Sequence, residues 1–141
     1  MDTPLISLAQ LIPFLAILLR LIIGIALIIH GYPKFKPEVR QRLVQWMQSI
    51  GIPGAVVSLV AINEFFGGIL LIIGFIVPVV STLLIIQFLI ITIAKKTRMK
   101  GSFMASDKPS YEVDLLYVLL ALTILVIGSG PISIDRLIGL S

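Results

Sequence analysis

Two charged residues, Arg20 and Glu64, lie deep inside apolar stretches of the sequence that are long enough to cross a membrane. A charged side chain at the centre of a membrane helix costs about 2.5 to 3.5 kcal/mol on insertion scales, so it needs a partner, a proton or a water-filled cavity. Gln87 lies midway along a third apolar stretch. We therefore expect Arg20 and Glu64 to form an ion pair inside the protein. Asn63 or Gln87 would supply the remaining hydrogen bonds.

A second set of polar residues gathers where two apolar stretches meet a loop, and it consists of His30, Lys34, Tyr111, Glu112 and Asp114. Tyr117 lies about one helical turn deeper than Asp114 and points the same way. These side chains would form a path from the surface to the layer of Arg20 and Glu64. Such a path could carry protons, or it could hold the head group of a quinone, whose carbonyls accept hydrogen bonds.

The same residues also have purely structural interpretations. A fully paired Arg20 and Glu64 could serve only to fix the helix register. His30 could cap a helix end, and Lys34 could extend its charge towards the lipid surface. Glu112, at the start of a helix, is favourable to the helix dipole without any chemistry. The sequence alone leaves both interpretations open.

Composition identifies the kind of scaffold that must position these side chains. The chain has 141 residues, of which 58% are hydrophobic and 13% charged, as in an integral membrane protein. Its connections are too short for a second domain, so residues 1–141 are expected to form one transmembrane domain. We predict an all-α four-helix bundle with spans at about residues 11–30, 54–73, 77–94 and 111–127.

Two shorter helices are predicted outside the spans. In the first loop, a face at helical spacing indicates a short helix lying in the membrane interface; it comprises Leu43, Trp46, Met47 and Ile50. The tail, residues 132–141, is predicted to form a short amphipathic helix that begins near Ser133 or Asp135.

Small residues accompany both buried charges. Gly24 follows Arg20 by four positions, and Gly68 follows Glu64 by four, so each glycine shares a helix face with its charge. Small residues allow membrane helices to approach closely. The pair Gly67 and Gly68 therefore indicates close packing rather than a nucleotide loop, because no phosphate-binding spacing accompanies it.

Basic residues are concentrated on one side of the predicted bundle. The two long loops hold nine lysines and arginines, whereas the tails and the short turn hold one, Arg136. By the positive-inside rule, the long loops should lie in the cytoplasm and both termini outside. We accordingly expect a multi-pass protein of the cell membrane. A lipid surface explains these charges better than nucleic acid does.

Composition also limits the cofactors. The chain has no cysteine, which excludes disulfides, cysteine-ligated iron–sulfur clusters and cysteine nucleophiles. Haem is not expected, because the chain has a single histidine, His30, and its inner methionines Met47, Met99 and Met104 lie in loops. A metal bound by His30, Glu64 and Glu112 is not expected either, because their predicted depths differ by about ten residues of helix rise.

Several short motifs follow one another along nearly the whole chain: Arg20-x3-Gly24, His30-Gly31-x2-Lys34, Glu64-x2-Gly67-Gly68-x2-Leu71-x2-Gly74, Tyr111-Glu112 and Gly128-x-Gly130-Pro131-x-Ser133-x-Asp135. Their order resembles the DoxX and DoxD-like family of small membrane proteins. Each motif alone is weak, and together they are fairly specific. The resemblance implies a four-helix membrane bundle.

The DoxX and DoxD-like family takes its name from the membrane subunit of archaeal thiosulfate:quinone oxidoreductase. That enzyme oxidises thiosulfate to tetrathionate and passes electrons to a membrane quinone. By resemblance, the positions that would form a polar, quinone-contacting site are Arg20, His30, Lys34, Glu64 and Glu112, to which the buried layer adds Gln87. The prediction is a membrane subunit of a quinone-linked oxidoreductase of the respiratory chain. A partner subunit would supply the redox cofactor.

Two other functions fit the same residues. A non-catalytic accessory or assembly subunit of a larger respiratory complex would explain the missing cofactor ligands and the interfacial segment at residues 42–50. A carrier of small solutes or protons would use the buried charges and would need a wet cavity that reaches Glu64. The high hydrophobicity is also compatible with a homo-oligomer.

Overall fold

The computed structural model of the protein describes residues 7–104 and 106–140. Within these residues the chain is helical, and no β-strand forms. The α-helices are α1 (Leu8–Gly31), α2 (Pro37–Ser49), α3 (Ala55–Ile73), α4 (Val77–Thr97), α5 (Glu112–Ile127) and α6 (Ile134–Leu137). A short 3₁₀ helix, Tyr32–Phe35, joins α1 to α2.

Three of the helical segments are long and apolar enough to cross a membrane: Leu8–Phe35, Ala55–Ile73 and Val77–Thr97. Helix α5 has 16 residues and is therefore about 24 Å long, shorter than the usual span of about 20 residues. The predicted class, an all-α membrane protein, is confirmed. A bundle with four complete spans stays a prediction.

The four long helices contribute to one apolar core. Helix α1 packs mainly against α3 and α4 mainly against α5, while α3–α4 and α1–α5 contacts join the two pairs. The core contains Ile23 and Leu27 of α1, Leu71 of α3, Leu84 and Phe88 of α4, and Ala121 and Ile124 of α5. Large apolar side chains also cover the outer faces, as for Phe14, Ile90 and Leu119. Lipid-facing helices require such surfaces.

Helices α1 and α3 approach each other closely at the two predicted glycines. A Cβ atom on Gly24 would lie 2.7 Å from the Gly68 carbonyl oxygen, and one on Gly68 would lie 2.6 Å from the Gly24 carbonyl oxygen. Such distances exclude any larger residue without a shift of the backbone. Gly67 faces α4 instead, with Val80 as its neighbour.

The two short helices form where the sequence predicted helices. Helix α2 buries Met47 and places Val44 against Gly54 at the start of α3. Helix α6 begins after Ser133, whose hydroxyl accepts a hydrogen bond from the Arg136 N–H at 3.2 Å. The segment that contains α6, residues 128–140, folds back onto the turn between α3 and α4.

Candidate functional site

A hydrogen-bonded network surrounds the Glu64 carboxylate in the interior of the protein. Glu64 is 2% exposed. One carboxylate oxygen accepts a hydrogen bond from the Gln87 side-chain amide at 3.0 Å, and the Gln87 oxygen accepts one from the Asn63 amide at 2.8 Å. The other carboxylate oxygen forms an ion pair with the Lys34 ammonium. We call Asn63, Glu64, Gln87 and Lys34 the Glu64 network.

Lys34 reaches this carboxylate because α1 ends beside it. A Cβ atom on Gly31 would lie 3.0 Å from the Glu64 Cβ, so the end of α1 meets the middle of α3. The 3₁₀ helix then carries Lys34 back towards α3. The Lys34 side chain is 21% exposed, whereas that of Glu64 is 3% exposed. The network is therefore open to its surroundings on the lysine side.

Aromatic rings lie beside this opening. The Phe65 ring centroid is 5.7 Å from that of Phe35, 6.1 Å from that of Tyr32 and 5.2 Å from that of Phe66. Tyr32, Phe35 and Phe66 are exposed. Tyr32 and Phe35 belong to the same 3₁₀ helix as Lys34, and Phe65 follows Glu64 in α3.

A second ion pair lies at the loop end of α4 and α5. The Lys95 ammonium donates to the Asp114 carboxylate at 2.6 Å and to the Ser110 carbonyl oxygen at 3.1 Å. Deeper along α5, the Tyr117 ring stacks on Phe88 with centroids 4.7 Å apart and meets the His30 ring edge-on at 6.1 Å. The predicted grouping of polar residues near the loop is therefore divided: Asp114 pairs with Lys95 of α4, whereas Lys34 pairs with Glu64 of α3.

The predicted ion pair between Arg20 and Glu64 is wrong. The Arg20 side chain instead donates hydrogen bonds to backbone carbonyl oxygens, namely those of Leu71 at 2.9 Å, Ile132 at 2.9 Å, Ile72 at 3.3 Å and Ser129. Carbonyls at a helix end lack partners within the helix. Arg20 therefore satisfies the end of α3 and the segment 128–140.

The reason for the error is the relative position of the helices. Helices α1 and α3 run antiparallel, with Gly31 beside Glu64 and Gly24 beside Gly68. Arg20 lies eleven residues before Gly31, which is about 16 Å along a helix. It therefore contacts the last turn of α3 and not its middle. We accordingly remove Arg20 from the residues predicted to contact a quinone.

Asp135 completes the arrangement around Arg20. Its buried carboxylate accepts hydrogen bonds from the N–H groups of Ile76 at 2.6 Å and Val77 at 2.9 Å, and from the Ser129 hydroxyl at 2.7 Å. It thereby caps the start of α4, whose first N–H groups lack partners within the helix. We call Arg20, Ser129 and Asp135 the Arg20–Asp135 cluster. The sequence prediction missed this role, because the capped helix lies 58 positions away in the chain.

A groove of about 350 Å³ beside Arg20 does not form a polar site. Most of its lining is aliphatic and comes from α1, the end of α3 and the segment around α6, for example Leu21, Ile72 and Leu137. The hydrogen bonds of Arg20 already go to backbone oxygens. A lipid chain suits such a lining better than a polar ligand does.

The remaining predicted residues are distributed around the Glu64 network. His30 is exposed at the end of α1, and Glu112 is partly buried in the first turn of α5. Neither residue bonds to Glu64 among the hydrogen bonds of residues 7–104 and 106–140. In the same residues no group of three or more His, Asp or Glu side chains is arranged to bind a metal ion.

These features define a multi-pass helical membrane protein with a buried carboxylate that is paired with a partly exposed lysine. A family model described as DoxX matches residues 15–96, and the chain belongs to this family. A Bacillus subtilis (strain 168) protein named "Putative oxidoreductase CatD" is 31% identical over 121 residues, which cover 84% of this chain and 83% of that protein. No solved structure matches the chain significantly.

Proposed function

We propose that the protein is the membrane subunit of a quinone-linked oxidoreductase and that the quinone head group binds beside Lys34 and Glu64. The observation that carries this proposal is the partly exposed Lys34, which pairs with a buried carboxylate and shares a 3₁₀ helix with exposed aromatic residues. Quinone carbonyls accept hydrogen bonds, and the ring and tail are apolar. The Lys34 ammonium and the neighbouring aromatic residues support this assignment.

The binding mode follows from the donors and the rings. The Lys34 ammonium carries three N–H donors, and one of them goes to Glu64. Another could donate to a quinone carbonyl while the quinone ring lies against Phe35 or Phe65. His30, exposed one turn before Lys34, could donate to the second carbonyl. The isoprenoid tail would then remain in the lipid.

The electron donor belongs to a partner in this proposal. The chain has no cysteine and one histidine, so it lacks the usual ligands for an iron–sulfur cluster or a membrane haem. The relative from Bacillus subtilis carries the name "Putative oxidoreductase CatD", which supports redox chemistry in the complex. The family resemblance adds thiosulfate as a candidate donor, to be oxidised by the partner subunit.

Binding of a short-chain quinone to the protein in lipid nanodiscs tests the proposal by calorimetry. Lys34→Gln should lower the affinity about tenfold or more, because a hydrogen bond to a charged group contributes about 1.5–3 kcal/mol. Lys96→Gln, an exposed residue at the end of α4, is the matched control and should leave the affinity unchanged. Absence of binding by the unchanged protein, or equal affinity of Lys34→Gln, would refute the proposal.

A second candidate, a non-catalytic subunit of a larger membrane complex, is favoured by a specific observation. Asn63, Gln87, Glu64 and Lys34 already satisfy one another, as expected of a network that only fixes the fold. Copurification with a larger assembly that binds no quinone at this subunit would support this candidate. Copurified quinone that is lost in Glu64→Gln would support the oxidoreductase subunit.

A further inference from the structure

Thr92 of α4 has a buried hydroxyl that finds no hydrogen-bond partner in the described part of the chain. It is 8% exposed. The two exposed threonines of the same helix behave differently: Thr82 donates to the Pro78 carbonyl at 2.8 Å and Thr97 to the Ile93 carbonyl at 2.7 Å. Buried polar groups are normally paired with protein or with ordered water. The Thr92 hydroxyl is therefore a place where a bound water is expected.

The position of Thr92 follows from its neighbours along α4. Phe88 precedes it by four residues and Lys95 follows it by three, so the three side chains share one helix face. Phe88 stacks on Tyr117, and Lys95 is paired with Asp114. Tyr117 and Asp114 lie three residues apart on the facing helix α5. Thr92 thus lies between these two contacts.

We call Lys95, Asp114, Thr92 and Tyr117 the polar column. Its two ends have different surroundings. At the loop end, the side chains of Lys95 and Asp114 are 22% and 10% exposed, so protons can enter there from water. At the inner end, the Tyr117 ring contacts Phe88 and His30. Their chain neighbours Gln87 and Gly31 lie against Glu64. The column therefore runs from the surface to the neighbourhood of the Glu64 network.

We propose that a water bound by Thr92 joins Asp114 to Tyr117, and that this chain of groups carries protons between the loop surface and Glu64. In each step one O–H bond breaks on the donor and one forms on the acceptor. For every proton that enters from water at Asp114, one reaches the Glu64 carboxylate and neutralises it. The inference rests on the proposed function only in that a bound quinone would use this proton.

The groups that face Glu64 also offer a competing route. Lys34 contacts the carboxylate directly and is itself partly exposed. Tyr117 approaches this region from α5, with His30 of α1 edge-on to its ring. If the ammonium of Lys34 delivered the proton, changes at Thr92 would have no effect on the rate. The two routes can therefore be separated by substitution at Thr92.

Protonation of Glu64 can be followed without any quinone. Protein in liposomes is shifted rapidly from neutral to acidic pH, and the carboxylic acid band is recorded by time-resolved infrared spectroscopy. The band that disappears in Glu64→Gln identifies Glu64. We expect Thr92→Val, which removes the hydroxyl at nearly constant volume, to slow the appearance of this band about tenfold or more. Thr92→Ser should restore the rate.

Ser81→Ala is the matched control. Ser81 is also a buried α4 hydroxyl without a partner in the described residues, but it lies eleven positions from Thr92, or about 16 Å along the helix. This variant should protonate Glu64 at the normal rate. An unchanged rate in Thr92→Val, or equal slowing in Ser81→Ala, would overturn the proposal. Because no quinone is present, either result leaves the test of quinone binding independent.

Discussion

The Asp135 carboxylate provides a direct test of how the helix ends are held together. It accepts hydrogen bonds from three donors, Ile76 N–H, Val77 N–H and the Ser129 hydroxyl. A hydrogen bond to a charged group contributes about 1.5–3 kcal/mol, against about 0.5–1.5 kcal/mol for a neutral one. Asp135→Asn keeps the volume and removes the charge, so about 1 kcal/mol should be lost per donor. The free energy of unfolding should fall by roughly 3 kcal/mol.

This change is measured by denaturant unfolding in detergent micelles, with the helical circular dichroism signal as the readout. Asp107→Asn is the control, since Asp107 is exposed in the loop before α5 and should alter the stability by less than about 0.5 kcal/mol. A loss below about 1 kcal/mol for Asp135→Asn would refute the role assigned to the carboxylate.

The same carboxylate predicts a dependence on pH. Burial alone would raise the pKa of Asp135, but hydrogen bonds from the Val77 N–H, the Ser129 hydroxyl and the Ile76 N–H, with the nearby charge of Arg20, hold it below its ordinary value. A depressed pKa in the folded state contributes stability above the unfolded pKa of about 3.9. That contribution is lost as the pH falls through the folded pKa. Asp135→Asn should therefore flatten the stability profile in acid.

Two further substitutions test the packing. Arg20→Lys should lower the free energy of unfolding by about 3 kcal/mol, because one ammonium cannot reach all the carbonyls that the guanidinium contacts. The exposed Arg136→Lys is the control. Equal stability of the two variants would contradict this role of Arg20. Gly68→Ala should lower the thermal midpoint more than Gly67→Ala, because its Cβ would lie 2.6 Å from the Gly24 oxygen, against 3.3 Å from a side chain at Gly67. Equal midpoints would show that the α1–α3 contact tolerates a methyl group.

Hydropathy was sufficient to predict where the helices lie. The predicted segments 54–73 and 77–94 correspond to α3 and α4, which differ from them by a few residues at their ends. The turn between them contains Gly74 with a φ of 72°, a conformation that glycine adopts without strain. Local sequence therefore determined both the helices and the break between them.

Contacts between distant segments were harder to predict. The midpoint of an apolar stretch gives the depth of a charge only if all the helices begin at one level. Helix α1 is offset against α3, so Arg20 meets the end of α3 and Glu64 meets Lys34. Asp135 caps a helix that begins far away in the chain. The two glycines encode this offset: when Gly24 faces Gly68 in antiparallel helices, Arg20 lies near the end of α3 and not beside Glu64.

The two buried charges, Arg20 and Glu64, differ in whether the group that pairs with each can also bind a ligand. Arg20 is 2% exposed and is bound to backbone oxygens, which can leave it only if the helix ends unfold. Glu64 is bound to Lys34, a flexible side chain that is 21% exposed and can rotate towards an incoming acceptor without disturbing the backbone. A ligand can therefore accept a hydrogen bond from a second N–H of Lys34 while the ion pair with the buried Glu64 stays intact, whereas access to Arg20 requires a helix end to open. For this reason we assign the binding role to the Lys34–Glu64 pair and the structural role to Arg20.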